Sequence, residues 1–311
     1  MEGIIMTDFD DSEYAELIGN LLHDTNYIGI SNMGKMAGLR KHAELMVRKF
    51  LNIGSDTMLT LGEVKKNSHN PTVNERIRNL EGELSSKLIG IVNRITPLGN
   101  AGTHTRRTES FSDEEVEGVE DALLELYALI FIRYFMDIQI SIYTPYLALD
   151  AFSFLPPIIR YKTWVYLYEK DRNNIQVVNK LCLSIIKTFS KETAYEWLGD
   201  NREVISVIPY PTDSEIIKYI QTGGCEIEPG LYQVSLDFIK YDNMYDLLYD
   251  KIEDERTSIN ESGKMYNSFE SAINYYNDYK SLNIQNNSEE VTTLHYLVDF
   301  VFLGRKSEEE L

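Results

Sequence analysis

The sequence predicts a mainly helical protein in two parts, divided near residue 150, with a single stretch that alternates like a small β-hairpin. Apolar residues recur at steps of three and four through long segments, and glycine and proline gather in the few places between them. The chain has 311 residues, about twice the usual size of one domain, which is enough for two moderate cores. With 43% hydrophobic and 25% charged residues it belongs with globular chains and not disordered ones.

In the first part, Met36, Leu39, Ala43, Met46, Val47 and Phe50 form one stripe, which predicts a helix over 32–52 that Asn52, Gly54 and Ser55 end. After the polar stretch KKNSHNPT, Pro71 can open the next helix. There Val73, Ile77, Leu80, Leu84, Leu88 and Ile91 repeat at helical spacing and should pack on the first helix. Asn93 to Arg107, NRITPLGNAGTHTRR, holds Pro97, Gly99 and Gly102, so irregular backbone or a new helix start is expected. Ser112 followed by Asp113, Glu114 and Glu115 reads as an N-cap with an acidic first turn. The helix it opens carries Val116, Val119, Leu123, Leu126, Tyr127 and Ile130 on one face and runs to about Met136. Leu123, Leu124, Leu126, Ile130, Phe131 and Ile132 spread over more than one face, so this helix is the expected contact of a homodimer unless the rest of the chain covers it.

Pro145, Pro156 and Pro157 punctuate the middle and divide residues 1–150 from residues 151–311. Beyond them IIRYKTWVYLYEKD, NNIQVVNKLCLSIIKTF and SKETAYEWLGDNREVI predict helices, the last capped by Ser190. Over Gly223 to Phe238 a brief alternation about Glu228, Pro229 and Gly230 leaves room for the hairpin. YDNMYDLLYDKIEDER and SFESAINYYNDYK follow as acidic, tyrosine-rich helices. The 21 tyrosines stand among Asp and Glu, which favours packing over base stacking.

Composition excludes several classes. Cys182 and Cys225 are too few for a disulfide framework and lack zinc spacing, which fits a reducing cytoplasm. The first residues lack a basic region followed by a long apolar one, so no secretory signal is expected. The longest apolar stretch, Leu123 to Met136, is interrupted by Glu125 and Arg133 and is too short to cross a bilayer. The five histidines form no HExxH, and P-loop and GxSxG motifs are absent, so neither a metal nor another cofactor is expected. A formal charge of −19 repels nucleic acid, yet residues 31 to 107 hold thirteen Lys or Arg against six Asp or Glu. A positive patch on that part is therefore expected.

Arg94, Asn100, His104, Arg106 and Arg107 form the polar cluster in the glycine-containing segment between long helices. Gly99, Asn100, Ala101, Gly102, Thr103 and His104 make a G-N-x-x-x-H element. In its order of helices and in LRKHAELMVRKFL upstream, the sequence over roughly residues 15 to 137 resembles the HEPN superfamily, in particular its prokaryotic branch. The resemblance implies a HEPN-like helical bundle followed by a second, mostly helical domain acting as a sensor or partner-binding module. It also implies metal-independent RNA cleavage by a pair of copies, of the kind found in prokaryotic toxin or antiviral systems. Such cleavage needs a proton-transfer group near neutral pH and a fixed cation for the phosphate. His104 takes the first role, Asn100 orients it or a phosphate, and Arg94 supplies the cation; Arg106, Arg107 and Lys87 would bind RNA or a nucleotide. In the ribonuclease pattern, however, the arginine directly precedes the polar residue, and Gly99 stands there instead. Three readings stay open: RNA cleavage, binding of RNA or a nucleotide without cleavage, and an Asn and His that only close a tight helix junction. His42, on the first helix, reads as a surface or core residue and not as a partner of His104.

Overall fold

The structure, a computed structural model, describes residues 8–103, 108–254, 267–283 and 288–311. Within them the fold is mainly α with one two-stranded antiparallel hairpin. The chain divides into two compact units, Met1–Arg133 with Asp299–Leu311 and Tyr134–Val298.

In the first unit, α1 (Asp11–Leu22) starts at Asp10, whose carboxylate accepts the Ser12 amide at 2.9 Å, and runs into a π-helical turn at His23–Tyr27. Helix α2 (Asn32–Leu51) begins on the Ser31 hydroxyl and stops at Asn52, which takes the left-handed conformation at φ 53°. The α2 stripe lies inside, with Met36, Ala43, Met46 and Val47 fully buried. Helix α3 (Pro71–Arg78) opens as the sequence suggests, with Pro71 in its first turn and the Asn70 side chain capping Val73.

The continuous apolar repeat from Val73 to Ile91 does not form one helix. It splits into α3 and α4 (Leu84–Thr103), because the chain turns at Gly82, whose φ of 55° a side chain would strain. Conversely, no break occurs at Asn93. Helix α4 runs through Pro97 to Thr103. The carbonyl that Pro97 leaves without a helical donor belongs to Asn93, and both residues are exposed, so water can serve that carbonyl. Leu88, Val92 and Ile95 form the buried face of α4, which packs with α2.

Helix α5 (Asp113–Asp137) starts with a capping box: the Glu115 amide donates to the Ser112 hydroxyl at 3.2 Å, and the Ser112 amide donates to the Glu115 carboxylate at 2.9 Å. Leu123, Leu126, Ile130, Phe131 and Ile132 are all buried within the chain, and Leu124 is half-buried. Most of the apolar surface expected to join two copies is thus covered without a second copy.

The second unit continues with α6 (Tyr146–Ser153), α7 (Pro157–Lys170), α8 (Ile175–Thr188), α9 (Lys191–Asp200), α10 (Arg202–Ile205) and α11 (Asp213–Gly223). Strands β1 (Cys225–Glu228) and β2 (Leu231–Gln233) pair about the turn at Pro229 and Gly230, where Gly230 has φ 80°. Helices α12 (Met244–Glu253), α13 (Phe269–Asn283) and α14 (Glu289–Phe302) complete the order. Helix α8 packs on α7, α9 and α12. Phe135, Phe152 and Trp164 pack ring against ring, with centroids 4.6 to 5.2 Å apart. Many of the tyrosines are core residues, among them Tyr134, Tyr219 and Tyr276, each at most 2% exposed. No helix among the described residues is long and apolar enough to cross a membrane.

Candidate functional site

The G-N-x-x-x-H element starts on the last turn of α4. Gly99 lies on the buried stripe that Leu88, Val92 and Ile95 begin, and there α4 meets a polar residue of α2 in place of an apolar one. A Cβ built on Gly99 would stand 2.9 Å from Cβ, Cγ and Cδ of Arg40. Glycine is what lets the Arg40 stem lie across α4 at this point. Asn100, the next residue, is half-buried. His104, Arg106 and Arg107 lie outside the described residues.

Arg94 is not placed with Asn100. Six residues along a helix amount to about 9 Å of rise and roughly one and two-thirds turns, so the two point from different faces of α4. Arg94 instead meets α5, where its guanidinium lies 2.7 Å from the Glu125 carboxylate. Lys87, seven residues before Arg94 and nearly two full turns away, shares its stripe. The structure therefore groups Lys87 with Arg94 and leaves Asn100 beside the place where Arg40 crosses Gly99.

Pairing thins the expected positive patch. Lys35 meets Glu120 at 2.7 Å, Lys49 is buried against Asp11 at 2.6 Å, Lys65 stands 3.8 Å from Glu63, and Arg76 pairs with Asp8. Arg48 donates to the carbonyls of Gly54 and Thr57. Helix α5 supplies two of these counter-charges, Glu120 and Glu125, on the helix whose acidic start the sequence displays. Sequence reasoning missed Arg40 and Glu125. The glycine in a helical stripe at Gly99 was the signal for the first, since a missing side chain on a packed face implies a neighbour that fills it.

His42 is a core residue. Arg305, which can only donate, gives Nη2–H to the Tyr127 hydroxyl at 3.1 Å. The same hydroxyl shares a hydrogen bond with His42 Nε2, 2.8 Å away. Burial, helped by the Arg305 charge, lowers the His42 pKa to about 3, far from the value a proton shuttle needs at neutral pH.

In the second unit the Lys251 amine donates to Asn179 Oδ1 at 2.7 Å and to the Ser235 carbonyl at 2.5 Å. Burial lowers its pKa to about 7, with Lys180 and Lys187 adding to the shift and Cys182 opposing it. Burial raises the Cys182 thiol to about 12, so that sulfur is an inert core atom and not a nucleophile. Among the described residues no group of three or more His, Cys, Asp or Glu is placed to hold a metal ion. No family model, no curated protein and no solved structure matches this chain.

Proposed function

We propose that this is a HEPN-like protein that acts on RNA at the segment joining α4 to α5. The observation that supports the reading is the position of the G-N-x-x-x-H element: it begins on the final turn of one long helix, ahead of an acid-capped second one, with Gly99 seated against α2. Asn100 and His104 would then flank an RNA phosphate without a metal. The 2′-oxygen attacks phosphorus, the 5′-oxygen leaves, and His104 moves the proton between them. Cellular use as a toxin or antiviral effector, with the second unit as sensor, belongs to the same proposal.

Expression of the wild type and of His104→Ala in cells tests it, with growth and total RNA integrity compared. Slowed growth and broken RNA in the wild type alone support cleavage. Equal harmlessness with intact RNA under every trigger tried removes the enzyme reading.

A second reading, a non-catalytic interaction protein on a HEPN-like scaffold, is favoured by a specific observation. Lys35, Lys49, Arg76 and Arg94 are each already paired with a carboxylate. A paired surface offers fewer counterions to release, which weakens any grip on nucleic acid. Under that reading His104→Ala is silent and substitutions in the second unit abolish partner binding. A two-copy site would have to form through a surface other than the buried apolar face of α5, and light scattering at micromolar concentration reports whether 35.9 kDa or twice that is present.

A further inference from the structure

We propose that the β-hairpin and the chain folded with it, residues 207 to 239, form a surface on which the second unit holds a basic, apolar-anchored segment of another protein. The inference does not rest on the RNA reading of the α4–α5 junction; it gives the partner-binding role proposed for the second unit a place and a partner chemistry. Its basis is a gathering of apolar side chains that the core leaves out. Val207, Ile217, Ile227, Leu231 and Ile239 are each between 51 and 78% exposed. A single exposed apolar residue needs no account, but several along one short span mark a contact surface. The packing explains why they stay outside. Tyr219 of α11 and Phe238 fill the interior here, both buried with ring centroids 5.2 Å apart, and the Leu236 amide donates to the Tyr219 hydroxyl at 3.0 Å. Ile217 stands two residues before Tyr219, about 200° around the helix, so it faces away from that interior. On the hairpin, Ile227 is the extra residue of a bulge in β1 and adjoins Glu228, which pairs with Leu231 on β2, so Ile227 and Leu231 are neighbours near its tip.

Charge selects the occupant. The same span carries Asp213, Glu215, Glu226, Glu228 and Asp237, all exposed, against Lys218 alone. The Lys218 amine sits over the Tyr143 ring, 4.2 Å from its centroid. Carboxylates set among exposed isoleucine and leucine attract lysine and arginine that flank an apolar anchor. They repel a nucleic acid or an anionic membrane. In a second copy the same carboxylates would meet each other, because a two-fold contact sets like surface on like.

The test is fluorescence anisotropy of the full chain with short fluorescein-labelled peptides that alternate lysine with leucine, lysine with serine, or glutamate with leucine, at physiological salt. The lysine-leucine peptide should bind about tenfold more tightly than either of the others, since each of those lacks one half of the match. Ile227→Ser combined with Leu231→Ser should bring its affinity down to that of the lysine-serine peptide. Glu228→Gln should weaken it about twofold to fivefold. Met58→Ser, which removes an exposed apolar side chain from the first unit, should leave it unchanged. Each variant is also melted, and if the double variant does not fold, Glu228→Gln decides. An affinity that the folded hairpin variants leave unchanged, or a lysine-leucine peptide that binds no better than the lysine-serine one, overturns the proposal. So does a dimer in light scattering that Ile227→Ser with Leu231→Ser dissolves, since the surface would then close on itself. None of these results touches the RNA reading, which growth and RNA integrity with His104→Ala decide separately.

Discussion

His42 in the first unit and Lys251 in the second are both bases that folding withdraws from water, and burial pushes both pKa values down. Their surroundings differ. His42 ends a chain in which each link is matched, Arg305 giving to Tyr127 and Tyr127 sharing a hydrogen bond with His42. Lys251 gives to Asn179 and Ser235, but the Asn179 Nδ2, on a residue with no exposed surface, has no hydrogen-bond partner among the described residues. The ordinary pKa then decides the outcome. From 6.5, His42 falls to about 3 and stays neutral at any physiological pH, so it is a fixed part of the core. From 10.5, Lys251 falls to about 7, where a small change of pH alters its charge. One physical cause gives a strut in one unit and a titrating group in the other.

For both bases the unfolded chain holds its proton more tightly than the folded one, so stability rises with pH across the gap between the two values. The His42 window runs from about 3 to 6.5 and the Lys251 window from about 7 to 10.5. The largest expected effect is acid sensitivity from His42. As pH falls through its window, stability should drop by several kcal/mol, at most about 5, beyond what the carboxylates contribute. His42→Gln, which keeps a hydrogen-bonding partner for Tyr127, should remove that part. Urea unfolding of both proteins at pH 6.5 and pH 4 measures it, and an equal loss in the two would break the comparison.

Lys251 gives the second effect, smaller because the residue is only half-buried. Wild type should gain up to a few kcal/mol in its second-unit transition between pH 7 and pH 10, and Lys251→Met should show no such gain. A gain that persists in Lys251→Met would assign it to another group. Tyr127→Phe comes third and probes the matched chain without titrating anything. It strips a partner from His42 Nε2 and from Arg305 at once, for a loss of about 1–3 kcal/mol at neutral pH. A loss below 0.5 kcal/mol would show that water takes the hydroxyl's place.

Much of this architecture was legible. The apolar stripe of α2, the Pro71 start, the Ser112 capping box and the Pro229–Gly230 turn rest on local rules that tertiary packing had no reason to override. The two breaks around α4 were misjudged for one shared reason. A proline interrupts a helix only as far as its lost hydrogen bond and ring clash matter, and at Pro97 the exposed side tolerates both. A glycine at positive φ, as at Gly82, breaks an apolar repeat that looks unbroken in the letters. The buried chain from Arg305 to His42 spans residues 263 positions apart, and no spacing rule reaches that far. Of the candidate site, the motif and its helix end were readable, while the neighbours of each cation were not. Which carboxylate meets Arg94, or which side chain fills the gap at Gly99, depends on how α2, α4 and α5 pack.

The smallest expected effect sharpens the comparison from its exposed end. Arg94 and Glu125 pair at 2.7 Å, the same distance as the Lys251–Asn179 bond, yet the arginine side chain is 50% exposed. Water screens such a pair and both side chains lose freedom in making it, so geometry alone overstates its worth. Glu125→Gln should cost under about 1 kcal/mol, and the cost should shrink further in high salt. The same change removes one negative charge facing the Lys87 and Arg94 stripe, so if RNA docks along α4 its affinity at low salt should rise by a small factor, about twofold to fivefold. Paired urea titrations and anisotropy measurements at low and high salt read both quantities. A loss of several kcal/mol would mean that Glu125 supports the α4–α5 packing beyond its ion pair. A stable variant whose RNA affinity does not move would place the Lys87 and Arg94 stripe outside the path of the nucleic acid.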